Sequence, residues 1–398
     1  MEALPFVKAR NPAEIWRDEP TFLLCELSFE LFALLTLLDA WKRGPRYVVL
    51  WLSALGHGLT TELVSYFNPN INSFWHAQST LVFFRGRFPL HIMLFYPATM
   101  YLTNVAVEIL QLGAVAHASA VAIADVIIDV PFDIMGIKLV WWTWHDTDPN
   151  IFDRHYSVPW TSYNFHMTFA WSLSFLFRVT WNLLVGEQKK LKPLSGILRA
   201  GTCLIVVSLM SMPLGVLQCT FHHFLHDVFF IHPEITTLIY VFVYGAIFWR
   251  ADRRLSKSKA KKIKSKALAA IVVIHYAFYM LLVVFYAKPE DIRATGLHEV
   301  VGDDCQSESD VYTVTGMILK KKTFLCVDNY DEPYFDFHCL PRGRPETNAS
   351  WYTVCGTPYK SHVEYMVIVI FSCVVGLLFF WEIFNTSVHN EKEKTKRD

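Results

Sequence analysis

The 398-residue chain carries no net charge, with 36 basic residues against 36 acidic ones, so net charge says nothing about partners and only its distribution is informative. Charge of either sign is also scarce. Only 18% of the residues are charged, against roughly a quarter in soluble domains, so much of its surface must meet something less polar than water. There is no nucleophile elbow, phosphate-binding loop, dinucleotide fingerprint or nucleic-acid module, which removes the commonest soluble-enzyme chemistries. A repeat of fixed period and low-complexity tracts are absent too, which excludes solenoids and unstructured scaffolds. Met1 to Pro20 is polar and the first apolar run contains Glu26 and Glu30, so no cleavable leader is expected and the chain inserts through its own first span.

What the chain has is apolar surface: 53% of residues are hydrophobic and 15% aromatic. They fall into runs of about twenty, the length of helix that crosses roughly 30 Å of hydrocarbon. Nine runs stand out: Thr21 to Trp41, Tyr47 to Phe67, Phe88 to Leu110, Val115 to Trp142, Pro159 to Val185, Ile197 to Phe221, Pro233 to Trp249, Ala267 to Tyr286, and His362 to Phe384. The expected fold is all-α, a polytopic bundle of about nine spans with a small disulfide-stapled lumenal loop. Lys and Arg concentrate at Lys42 to Arg46, Lys189 to Arg199, Arg250 to Lys266 and Lys392 to Arg397. With nine alternating spans all four fall on one face, which the positive-inside rule makes cytoplasmic; Arg85, Arg87 and Arg154 fall on the other. The amino terminus is then lumenal and the carboxyl terminus cytoplasmic.

Four zones follow: a five-span core over 1–185, three further spans over 186–287 with the basic loop, a lumenal Cys-rich loop over 288–361, and the last span and tail over 362–398. The basic loop is a solvated segment or a contact for anionic lipid heads. Cys305, Cys326, Cys339 and Cys355 in a polar loop predict two disulfides of unassigned pairing, and Asn348-Ala349-Ser350 is a glycosylation sequon. Cys25, Cys203, Cys219 and Cys373 lie in apolar runs and are expected as packed thiols. Lys394 and Lys396 stand fifth and third from the end, like a dilysine retrieval address, which points to the endoplasmic reticulum membrane.

Ionisable side chains within hydrocarbon are expensive and need a partner, a wet cavity or a use. Asp125, Asp129 and Asp133 recur every four residues, which stacks three carboxylates on one helical face. Together at low dielectric they cannot all ionise cheaply, and a proton donor in an oily cavity is what acid catalysis on a hydrophobic substrate requires; polar glue between helices is the plainer alternative. Glu26 with Glu30, and His57 with Glu62, suggest a shared polar cavity between spans one, two and four, with Glu26 and Glu30 against the substrate. His222 and His226 share a helical face beside His223 and Asp227, so a metal at this histidine cluster is one reading and an interfacial polar cluster the other. No further cofactor is expected. His145 to Tyr156 reads as a polar loop or a cavity mouth, and Trp141, Trp142 and Trp144 as an interfacial aromatic belt.

Gly58 with Glu62, Asp129 with Pro131 and Gly136, Trp142 and Trp144, Val158-Pro159, and Asn164-Phe165 follow one another in an order that resembles the integral membrane carotenoid hydratase family, over roughly residues 56–171. The resemblance implies a scaffold that shelters an isoprenoid chain and protonates a double bond so that water adds, with Trp142 and Asn164 toward the substrate. The leading expectation is a lipid-metabolising membrane enzyme of hydratase or isomerase type. Asp125, Asp129, Asp133 and Glu62 would be its acid and tuning partners, and His57 a relay. Its partners would be membrane lipid and a hydrophobic small-molecule substrate. The alternatives are a proton- or cation-coupled transporter or channel subunit, and a non-catalytic membrane protein whose lumenal loop binds another protein.

Overall fold

A computed structural model describes residues 6–144, 151–186, 194–252, 266–286, 288–328 and 332–394, with side chains to residue 385. Ten helices run through it: Pro12–Asp18 (α1), Pro20–Arg43 (α2), Pro45–Phe67 (α3), Leu90–Glu108 (α4), Ala114–Lys138 (α5), Trp160–Leu184 (α6), Ser195–His223 (α7), Pro233–Asp252 (α8), Lys266–Phe285 (α9) and His362–Lys394 (α10). Proline occupies the first turn of α1, α2 and α3, where its missing N–H costs nothing. Gly44 at φ +112° makes the one-residue break between α2 and α3, a conformation that a side chain would strain.

Each expected run lies on one of the nine long helices. Seven of these (α2, α3, α4, α7, α8, α9 and α10) are long and apolar enough to cross a membrane. Leu24, Leu27, Leu31, Leu34 and Leu38 form an exposed stripe down α2, a face that only hydrocarbon or another apolar surface covers without cost. α5 and α6 are packed inside, and α5 is buried along nearly all its length, as expected of a helix apolar all round.

The all-α expectation needs correction, because twelve short strands decorate one end of the bundle. These are Val7–Ala9 (β1), Phe74–His76 (β2), Leu81–Phe83 (β3), Phe88–Pro89 (β4), Trp142–Trp144 (β5), Arg154–His155 (β6), Val158–Pro159 (β7), Arg293–Leu297 (β8), Glu308–Tyr312 (β9), Ile318–Lys322 (β10), Phe335–Asp336 (β11) and Trp351–Gly356 (β12). β2 pairs with β5, β1-β3-β4 and β11-β12-β8 form three-stranded sheets, and β9 and β10 make a hairpin. The connections 68–89 and, among the described residues, 139–144 and 151–159 run beneath other chain, where backbone groups must pair with something other than water. Hence α5 ends at Lys138, short of the expected Trp142, and Trp142 enters a strand.

The Cys-rich segment is no free loop. It forms a cap on these connections: Ala77 bridges Gly296, Arg154 meets Glu332 at 3.1 Å, and Lys138 donates to the Thr357 carbonyl at 2.8 Å. Its disulfides are Cys305–Cys326 and Cys339–Cys355, and Cys25, Cys203, Cys219 and Cys373 are free and buried. At the opposite end Glu108 accepts from Arg46 at 2.5 Å and Tyr47 at 2.9 Å, and Arg178 donates to the Leu112 carbonyl at 3.1 Å. The basic loop, the start of the stretch from His145, and the terminal dilysine-like residues lie outside the described residues or their side chains.

Candidate functional site

The four-residue spacing on α5 puts Asp125, Asp129 and Asp133 on one buried face, and α6 supplies what faces them. His166 reaches Asp129 through Nε2 at 3.4 Å and Asp125 through Nδ1 at 3.8 Å. One turn earlier, the Ser162 hydroxyl donates to Asp133 Oδ2 at 2.9 Å. Neither oxygen of Asp129 meets a hydrogen-bond donor by distance and angle among the described residues; its close ionisable neighbours are His166 and Asp133. Three acids around one histidine balance only by holding protons or a cation.

Beside this cluster lies a cavity of about 470 Å³ bounded by α3, α4, α5, α6, α7 and the strands β2 and β5, within the ~300–1,000 Å³ usual for small-molecule sites. Phe95, Phe132, Phe165, Phe169 and Trp142 make its walls apolar, Asp133 and His166 form one polar wall, and Glu62 and His76 another. Asn68, Asn70 and the cap residues Tyr312 to Val314 line it toward the capped end. The acids are thus positioned by helix packing, whereas the mouth is built by the cap.

Glu62 Oε1 accepts from the Tyr96 hydroxyl at 3.0 Å, and its other oxygen lies 3.5 Å from His76 Nε2. Gly58, one turn before Glu62, lets Tyr96 in, for a Cβ there would sit 2.3 Å from its ring. His57 is fully buried and does not line the cavity; it bonds Ser211 at 2.8 Å and its ring meets Tyr96 and Phe169 edge-on. Arg87, on the turn between β3 and β4, stacks its guanidinium 5.0 Å from Phe74, and burial lowers its pKa to about 10.

Several expected site residues stand elsewhere. The expected second and fourth spans, α3 and α5, do line the cavity together with α4, α6 and α7, but the first span, α2, does not. Glu26 accepts from the Thr80 backbone at 3.0 Å and hydroxyl at 2.5 Å, which fastens the β3 connection, and Glu30 is half-buried off the cavity. Trp142 lines the cavity; Asn164 does not, and instead ties α6 to α8 through Thr237 at 2.8 Å.

Among the described residues His222 and His226 are held by separate partners. A π-helical turn over Phe224–Val228 breaks the four-residue stacking that an α-helix would give them. His222 bonds Thr236 at 2.5 Å, while His226 is held by Asp227 at 2.8 Å and lies 3.5 Å from Asp153. The arrangement that does suit a cation is Asp129, Asp133 and His166, whose ligand atoms lie within 4.8 Å of one another. Asp336, His338 and Cys355 are as close, but the Cys355 sulfur is spent in a disulfide.

The cluster and cavity residues that the sequence did not single out are His166, Ser162, Tyr96 and His76. His166 and Ser162 carried a signal, being polar one turn apart in an apolar run. His76 sits in a short strand with no periodicity to mark it.

The chain belongs to the family described as a domain of unknown function (DUF7802), which matches it over residues 3–385. No curated protein and no solved structure matches it.

Proposed function

For this member of the family, we propose a membrane enzyme that acts on a long-chain or isoprenoid lipid by carboxylic-acid catalysis of hydratase or isomerase type. One observation carries the reading: a buried Asp–His cluster opens, through Asp133 and His166, onto an aromatic-lined cavity. Asp133 is the acid against the substrate. Its proton passes to one carbon of a double bond, forming a C–H bond and leaving the neighbouring carbon a cation. The rings of Phe95, Phe132 and Phe169 offer that cation their negative faces. In the hydratase form, water then makes the C–O bond and returns its surplus proton to Asp133; in the isomerase form, an adjacent C–H bond gives up the proton instead. His166 bridges Asp133 to Asp129 and Asp125, positioning residues that hold the next proton.

A transport path draws less support, because the Arg46–Glu108 and Arg178–Leu112 contacts tie helices together at the end opposite the cap. A second reading rests on the close approach of Asp129, Asp133 and His166: a divalent cation held there would act as Lewis acid. Chelator-treated protein that keeps its turnover rejects that reading and leaves the first.

Placement in the endoplasmic reticulum, with the cap lumenal, is part of the same proposal. It is supported by the cap's two disulfides and by Asn348, exposed on a turn. The test of the reaction is Asp133→Asn in reconstituted vesicles of cellular lipid. Loss of the proton is expected to lower lipid conversion by about 10²–10⁴-fold; unchanged conversion removes the role.

A further inference from the structure

The reaction above leaves the cavity's other polar wall unused. Glu62 is 4% exposed, and only one of its oxygens is hydrogen-bonded, by Tyr96; Oε2 has no hydrogen bond among the described residues. His76 is 6% exposed and makes no hydrogen bond through either ring nitrogen, although its Nε2 lies 3.5 Å from Glu62. Both residues line the cavity. Buried polar atoms almost always find partners, and a group of them without any marks the place of a water or a ligand.

The chemistry of the unmet atoms narrows the ligand. A carboxylate oxygen offers only acceptance, and a neutral imidazole offers one N–H and one lone pair. A hydrocarbon end would leave all of them unpaired, at a cost far above a lost van der Waals contact. An anionic head would meet the Glu62 carboxylate. A cationic head is disfavoured because Arg87, 3% exposed behind Phe74, already opposes the charge of Glu62. A hydroxyl fits: it donates one hydrogen to Glu62 Oε2 and accepts from the His76 N–H.

We infer that Glu62 and His76 form a hydroxyl-binding site, and that the cavity takes a long-chain alcohol whose hydroxyl lies at this wall and whose chain runs past Phe95 and Phe169 to Asp133 and His166. The inference rests on the reading of the cavity as a lipid site and adds the class of head group. It does not depend on the reaction assigned to the acids.

The test uses the full-length protein in lipid nanodiscs and two photo-crosslinking probes, a diazirine-bearing long-chain primary alcohol and its methyl ether. The ether keeps the oxygen and loses the hydrogen that Glu62 needs. The alcohol should label cavity residues with an affinity on the order of tenfold or more above the ether. Glu62→Leu and His76→Phe should bring the alcohol down to the ether's affinity while the ether binds as before, which also shows the variants folded. Asp133→Asn should keep the preference for alcohol even where it abolishes turnover. If Asp133→Asn retains turnover while the preference persists, the reaction falls and the hydroxyl site stands. Equal affinity of the wild-type protein for alcohol and ether, or labelling of neither probe within the cavity, overturns the site whatever the turnover.

Discussion

Asp133 and Asp129 sit one helical turn apart, yet only Asp133 lines the cavity, so the proposed reaction gives them different tasks. Asp129→Asn should therefore lower the rate less than Asp133→Asn and also shift the pH–rate profile, since it alters the charge that His166 feels at 3.4 Å; an unmoved profile would show that Asp129 only packs. Gly58→Ala places a methyl 2.3 Å from the Tyr96 ring. Overpacking of this kind costs about 1–3 kcal/mol, and a thermal-shift measurement should show the loss even though Gly58 touches no reacting group. The acid triad was legible because a period of four is written directly in the chain. His166 carried only its four-residue spacing from Ser162; its place opposite the acids comes from which face of α6 meets α5, and that face is fixed by tertiary packing.

At the scale of elements, the cap holds its own titration. Burial against Tyr352 pushes His298 down to about 3, below the ~6.5 of an unfolded histidine. The folded cap thus binds fewer protons than the unfolded one between these values, so its stability is complete above pH ~6.5 and falls as pH drops toward 3. One pH unit below 6.5 the cost is about 1.4 kcal/mol. Protection factors in β8 and β12, corrected for the intrinsic pH dependence of amide exchange, should then fall roughly tenfold at pH 5.5, and His298→Phe should remove most of that fall. Glu19 just before α2 works the other way. Burial outweighs its 2.8 Å ion pair with Arg10 and raises it to about 8, so its contribution is full below pH ~4.5 and is lost as pH rises through 8. The cysteine count foretold two bridges, but their pairing depends on the fold of the cap. The strands β2 and β5 escaped notice because three aromatic-rich residues carry no usable period.

The molecule as a whole was the most legible level. Nine apolar runs coincide with nine long helices, because hydrocarbon-length runs dominate local propensity. What the runs do not encode is where the helices leave space. The expected cavity involved α2, whose Glu26 in fact anchors the β3 connection, and the cavity that forms is finished by Tyr312, Thr313 and Val314 from the far cap. Deleting residues 296–356 should for that reason abolish lipid conversion and expose the cavity mouth to water-soluble thiol probes placed at Asn70, rather than spare a self-contained core. Conversion at the wild-type rate by the deleted protein would show the cap to be dispensable.

Transfer of a proton from Asp133 to a lipid carbon leaves a trace that no binding or transport process leaves. Reconstituted protein given cellular lipid in deuterated water should yield a product carrying non-exchangeable deuterium on carbon, read by mass spectrometry, and Asp133→Asn should yield essentially none. Lipid unchanged by the wild-type protein, or the same labelled product from both proteins, would contradict the account.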